Sequence, residues 1–161
     1  MKEQKRRLNN EGFSLIELIV VIAIMAILVG AMAPRVTKYI ESAKRASDVQ
    51  ALGTVFTAVQ TTLIEAETSD TITPATAGTY TLGTDTLGGQ STFETATKSL
   101  LTGNAWPTMT SKALAGQSIK VTITDQSSVS VEVDAKSTAT DVSKVTVSET
   151  GSNWTAKSAT P

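Results

Sequence analysis

The side chains that carry out most protein chemistry are few in this chain. It contains no histidine and no cysteine, so the commonest general base and metal ligand, thiolate nucleophiles and disulfides are all absent. Serine–lysine, tyrosine or carboxylate pairs remain, but no spacing singles one of them out. Asp125, Asp134, Asp141 and Glu149 are too scattered to supply the clustered oxygen ligands that calcium needs. The sequence therefore predicts a protein that is not an enzyme and that binds no cofactor or metal.

One carboxylate is unusual because of its surroundings. Glu17 is the fifth residue of an otherwise uncharged apolar run that extends from Phe13 to Ala33. A charge inside a membrane-spanning helix costs about 2–3 kcal/mol at the middle of the bilayer and less near its surface. Either Glu17 reaches out to the interface, or a partner of opposite charge compensates for it. The apolar run alone leaves both explanations open.

The apolar run follows a short polar and basic leader, residues 1–12. Basic flanks tend to stay in the cytoplasm, so the bulk of the chain should lie outside. As a helix, Phe13–Ala33 would be about 31 Å long, which is enough to cross a bilayer core. Three interpretations compete: a signal peptide cut after Ala33, which Pro34 disfavours; a plain membrane anchor; and a segment cut between Gly12 and Phe13 with the apolar helix retained.

The residues Gly12-Phe13-Ser14-Leu15-Ile16-Glu17, with the basic leader before them and the apolar run and Pro34 after them, resemble the processing motif of the type IV pilin family. The resemblance covers the N-terminal third of the chain. It implies that a prepilin peptidase cuts after Gly12 and that Phe13 becomes an N-methylated N-terminus. The short leader and the Phe at the first mature position are similar to the type IVa subclass. The absence of cysteine is similar to the pilins of Gram-positive bacteria.

The resemblance also implies a function and partners. The chain would be a pilin, membrane-embedded as a single-pass precursor and then polymerised by an assembly platform into a homo-oligomeric surface filament for adhesion, motility or colonisation. One alternative is a pseudopilin of a type II secretion or competence DNA-uptake apparatus. Another is a membrane-anchored extracellular binding domain. The net charge of −1 and the small number of basic residues and aromatic stacking partners argue against specific nucleic-acid binding.

Within this resemblance, Glu17 and Phe13 are the expected assembly residues. Cleavage after Gly12 creates an α-amino group at Phe13, and Glu17 of one subunit can pair with the Phe13 amine of a neighbour. Two groups that are each costly in lipid then neutralise one another. A subunit that slipped by one helical turn would leave both charges unpaired, so the pair would also fix the register.

The apolar helix is expected to continue beyond the membrane. Residues 13–34 form the transmembrane or filament-core part, and residues 35–66 have an amphipathic pattern with apolar residues at spacings of three and four. Gly30 and Pro34 are the predicted points of helix breakage or flexibility, because glycine weakens a helix and proline removes a hydrogen bond. Four basic residues lie just after the apolar run: Arg35, Lys38, Lys44 and Arg45. They could pair between subunits with Glu41, Asp48 or another chain, contact anionic headgroups, or simply form a solvated charged face.

The rest of the chain predicts a small head. Residues 67–117 are rich in Thr and Gly and should form a connecting loop region with a short helix near 92–102. Residues 118–161 alternate apolar and polar positions in three segments, which predicts an antiparallel β-meander. Short strands at 79–82 and from 153 onward are further candidates. The predicted fold class is α+β, with a long N-terminal helix packed on a small antiparallel sheet.

Overall fold

The computed structural model describes residues 13–125 and 128–156. The predicted leader 1–12, which includes Gly12, lies outside the described residues, and so does the end of the predicted meander, residues 157–161. The chain divides into two compact units, Met1–Tyr39 and Ile40–Pro161, and each is described by itself. The second unit is called the head.

The first element is a single long helix, α1 (Leu15–Thr68). Its first half is almost wholly apolar, and its second half has one apolar stripe facing the core. The backbone is helical at Gly30 and through Pro34, although proline has no N–H to donate to the carbonyl four residues earlier. Nearby, the hydroxyl of Thr37 donates a hydrogen bond of 2.7 Å to the carbonyl of Ala33. The flexibility expected at Gly30 and Pro34 stays a prediction.

The head contains a five-stranded antiparallel sheet in the order β1-β2-β3-β4-β5. The strands are β1 (Gly78–Thr81), β2 (Ile119–Ile123), β3 (Val129–Asp134), β4 (Val142–Ser148) and β5 (Gly151–Ala156). The α+β prediction is confirmed, but the sheet is larger than the three strands that the alternation defined. The candidate strand at 79–82 is confirmed as β1, which begins one residue earlier and pairs with β2 through Tyr80 and Val121. Four residues are too few to show a clear alternation in the sequence. The candidate strand from 153 onward is confirmed as β5.

A short helix, α2 (Ser91–Ser99), lies between β1 and β2. It is shorter than the predicted helix at 92–102. The backbone leaves the helical path after Leu100, and a separate single turn follows at Thr102–Asn104. Gly103 in this turn has a φ of 73°, a left-handed conformation that ends the helical region. Phe93 and Thr97 are the buried residues of α2.

The apolar core of the head combines one face of α1 with the inner face of the sheet. On α1, Leu52, Val55, Val59 and Leu63 are almost completely buried. The matching residues of the strands alternate along the sequence, as in the buried, intermediate, buried pattern of β2. The buried face differs slightly from the apolar stripe that spacings of three and four predict. Ala46 and Phe56 belong to that predicted stripe, but Ala46 is exposed and Phe56 is only partly buried. The buried face instead includes Asp48 and Thr62, whose polar groups are hydrogen-bonded.

Candidate processing and assembly site

The predicted processing residues lie at the start of the described chain. Gly12 is outside the described residues, so the geometry of the predicted cleavage bond is not part of the structure. Phe13 and Ser14 precede α1, and the side chain of Phe13 is 93% exposed. None of residues 14–39, the described part of the first unit after Phe13, covers this aromatic ring, so it is accessible among them for packing against lipid or against another chain.

Glu17 caps the start of its own helix. Its Oε2 accepts a hydrogen bond of 2.9 Å from the backbone N–H of Ser14, the residue just before α1. The first backbone N–H groups of a helix have no intrahelical partner, and a carboxylate in the first turn also interacts favourably with the helix dipole. The arrangement is one half of a capping box, for which Ser14-x-x-Glu17 is the sequence signal. This spacing indicates a third environment for Glu17, in addition to the membrane interface and a neighbouring subunit.

The first half of α1 exposes an extensive apolar surface. Of the described helices, α1 is long and apolar enough to cross a membrane, and none of its most apolar window is buried inside the chain. The side chains of Leu15, Ile27 and Val29 are each at least two-thirds exposed. Contiguous apolar surface of this extent marks contact with a membrane or with other protein. Residues 13–125 and 128–156 do not themselves supply that contact.

The basic cluster after the apolar run makes contacts within the head through Arg45. Its Nη2 lies 2.5 Å from Oδ2 of Asp141, and its Nε lies 3.6 Å from Oε1 of Glu41. The guanidinium also lies 5.4 Å from the centroid of the Trp154 ring in β5. The hydrogen bond from Arg45 holds the pKa of Asp141 below its usual value. Arg45 therefore connects α1 with the sheet, and these contacts are made inside one chain.

Asp48 has a different role from the one that the sequence suggested. Asp48 was predicted as a partner of the basic residues in subunit–subunit pairing. This prediction is wrong, because Asp48 is 1% exposed and its carboxylate is hydrogen-bonded within its own chain. Its carboxylate accepts hydrogen bonds from the backbone N–H groups of Thr110 at 2.7 Å and Ser111 at 2.9 Å. Burial by itself raises the pKa of Asp48, but the donors of Ser111 and Thr110 outweigh it and hold the pKa below its ordinary value. No signal within the helix sequence indicates these partners, which lie more than sixty residues away.

Two more of the acidic residues considered as calcium ligands, Asp134 and Asp125, have local partners. Asp134 forms an ion pair with Lys120 across the sheet at 2.7 Å, and Asp125 accepts a hydrogen bond from the N–H of Ser128. Within residues 13–125 and 128–156, no three acidic side chains come close enough together to hold a metal ion.

Comparison with known proteins identifies the N-terminal segment. A family model described as the prokaryotic N-terminal methylation motif matches residues 7–33. The matched segment contains Gly12, Phe13, Glu17 and Gly30. Searches of curated proteins and of solved structures returned no match. The chain thus carries the type IV pilin and pseudopilin signature on a long N-terminal apolar helix, and this signature implies a structural rather than a catalytic protein that is processed by a prepilin peptidase.

Proposed function

We propose that this chain is the structural subunit of a type IV pilus, processed between Gly12 and Phe13 and polymerised through α1 into a surface filament. The observation that carries the proposal is the methylation motif at residues 7–33, directly joined to a helix whose apolar half is unburied. The processing motif and the exposed apolar surface of α1 are thus adjacent in the chain. The filament would serve adhesion, motility or colonisation.

In the proposed processing step, the peptidase hydrolyses the amide bond between Gly12 and Phe13. Water supplies the hydroxyl of the new Gly12 carboxylate and a proton of the new Phe13 amine. A methylase then transfers a methyl group to this amine from a methylsulfonium donor, which leaves as a thioether, while the amine loses one proton. The methylated nitrogen keeps its capacity to carry a positive charge. The leader is lost in the cytoplasm, while the helix remains in the membrane.

In the proposed assembly step, Glu17 receives the Phe13 amine of a neighbouring subunit. The cap on Ser14 occupies Oε2, and an ionised carboxylate has further acceptor capacity on its second oxygen. Glu17 can therefore keep its helix cap while it accepts the amine. Close packing of many identical helices would at the same time cover the apolar surface that each chain exposes alone.

Before assembly, the proposed subunit is a single-pass membrane protein with its leader in the cytoplasm and its head outside. An assembly platform in the membrane would then extract it into an extracellular filament of identical subunits. Gly30 and Pro34 lie near the outer end of the apolar run, where we propose that α1 bends or loosens during this transfer. The absence of cysteine makes a Gram-positive host a reasonable expectation.

A pseudopilin of a secretion or DNA-uptake apparatus is the second candidate, because the same motif occurs in both classes. Electron microscopy of cells that produce the chain distinguishes them, since long surface fibres support a pilin and their absence, with a processed chain, supports a pseudopilin.

Mass spectrometry of the N-terminus of the purified chain tests the processing step common to both. The proposal requires a chain that begins at Phe13 and carries one methyl group on its α-nitrogen. A chain that still begins at Met1, or that begins at Pro34, would refute it.

A further inference from the structure

The first two turns of α1 in the head contact the rest of the head without burying an apolar side chain. Between Ile40 and Ser47 no residue is buried, and only Glu41 and Arg45 are even partly covered. Buried apolar residues of α1 begin at Leu52. The polar groups of Glu41, Arg45 and Asp48 thus provide the described attachment of this stretch.

Two carboxylates of this stretch bind three consecutive backbone N–H groups. Oδ1 and Oδ2 of Asp48 accept from Thr110 and Ser111, and Oε1 of Glu41 accepts from Lys112 at 2.8 Å. The hydroxyl of Thr110 donates a third hydrogen bond to Asp48 at 3.0 Å, which makes four to the two carboxylates together. The bound segment is itself fixed to the core, since Met109 and Leu114 on either side of it are buried.

Arg45 completes the set, lying one turn after Glu41 and one turn before Asp48. It contacts Asp141 just before β4, and Trp154 in β5. The three residues Glu41, Arg45 and Asp48 are called the polar latch.

We propose that the polar latch allows residues 40–48 of α1 to separate from the head as a local unit while the apolar core and the sheet stay folded. Detachment breaks hydrogen bonds and one ion pair but uncovers no buried apolar side chain of α1, whereas detachment beyond Leu52 would open the core. Local opening requires less free energy where few apolar contacts are lost. Detachment frees residues 40–48 of α1 from the head, which is about 13 Å of helix at 1.5 Å per residue. The latch does not depend on the proposed filament.

Amide hydrogen exchange on the full chain in detergent micelles, resolved by residue with NMR, tests the latch. The N–H groups of Thr110, Ser111 and Lys112 should exchange at least tenfold faster than those of Val131 and Val145 in the sheet, after correction for intrinsic rates. In Asp48→Asn, the side-chain NH₂ is a donor and replaces a carboxylate oxygen that accepted a hydrogen bond from a backbone N–H, so that hydrogen bond is lost. Exchange at Thr110 and Ser111 should rise at least tenfold further, and the sheet should change less than twofold.

Asp134→Asn is the matched control, because it removes an exposed carboxylate from an ion pair on the sheet and should leave residues 110–112 unchanged. Equal protection of residues 110–112 and the sheet in the wild type would overturn the proposal, as would a parallel rise of both in Asp48→Asn. If Asp48→Asn does not fold, Arg45→Gln is measured instead. Exchange at Lys112 should then rise at least tenfold, and exchange in the sheet should change less than twofold. Hydrogen exchange does not depend on filament formation, so a result that refutes the polar latch is distinguishable from one that refutes the proposed function.

Discussion

Replacing Gly88 by alanine should destabilise the head, and the structure separates two reasons. Gly88 has a φ of +67°, a left-handed conformation that costs a residue with a Cβ about 1–2 kcal/mol. An added Cβ would also lie 2.6 Å from the Cβ of Ala75 and 3.1 Å from Cδ1 of Phe93. Ala75 cannot shift without disturbing Thr76, whose N–H and hydroxyl both donate to the carbonyl of Gly88. Overpacking of this kind costs a further 1–3 kcal/mol, roughly.

Gly83 provides the matched control. Its φ of +85° requires the same left-handed backbone, but an added Cβ would meet no atom within 4 Å. Gly83→Ala should therefore lose only the conformational part, about 1–2 kcal/mol. Gly88→Ala should lose more than Gly83→Ala by about 1–3 kcal/mol, which is the overpacking part alone.

Urea unfolding of the full chain in micelles, followed by tryptophan fluorescence, measures both variants. The chain has two tryptophans, Trp106 and Trp154, and both lie in the head, so the signal reports on the head. The free energy of unfolding follows from the midpoint and slope of a two-state transition. Equal losses in the two variants would refute the packing argument, since only Gly88 faces a crowded neighbour.

The same assay checks two further expectations. Gly53→Ala should raise the free energy of unfolding by about 1 kcal/mol, because Gly53 lies inside α1 with nothing within 4 Å of an added Cβ; a loss of stability would show that the site is more crowded. Acid should also destabilise the head, since the pKa values of Asp48 and Asp141 are held below the ordinary 3.8 of the unfolded chain. Their contribution to stability is present above pH 3.8 and is lost as the pH falls through the lower pKa values of the folded chain. The urea midpoint should therefore be nearly constant from pH 7 to 5 and should decrease at pH values below 3.8, less steeply in Asp48→Asn. A constant midpoint down to pH 2 would contradict this.

The sequence predicted the parts of the fold that depend on local pattern. The long apolar run, the amphipathic continuation and the alternation in β2, β3 and β4 each define an element by periodicity. The strands at 79–82 and from 153 onward were only candidates, because their pairing depends on which strand edge is available, and a segment as short as Gly78–Thr81 does not show this by itself. The end of α2 was placed too late because the backbone already leaves the helical path at Leu101, two residues before the glycine at 103.

At the site, the sequence indicated which residues matter but not all of their contacts. Gly12, Phe13 and Glu17 were selected by a motif that depends on neighbouring residues only. The cap between Glu17 and Ser14 was available from the spacing Ser-x-x-Glu. The partners of Asp48 were not, because they come from a loop that is distant in sequence, and a helical pattern alone assigns a charged residue to the solvent. Burial of such a residue depends on hydrogen bonds that only the tertiary structure supplies.

The most direct test of the account is the count of filaments by electron microscopy on cells in which Glu17→Ala is the only copy of this chain. Glu65→Ala is the control, since Glu65 is an exposed carboxylate on the same helix. The account predicts filaments in the wild type and in Glu65→Ala. It predicts none in Glu17→Ala, although that chain is inserted in the membrane and begins at methylated Phe13. Normal filaments in Glu17→Ala would contradict the assembly role of Glu17, and a processed wild-type chain that never enters a filament would contradict the proposed pilus.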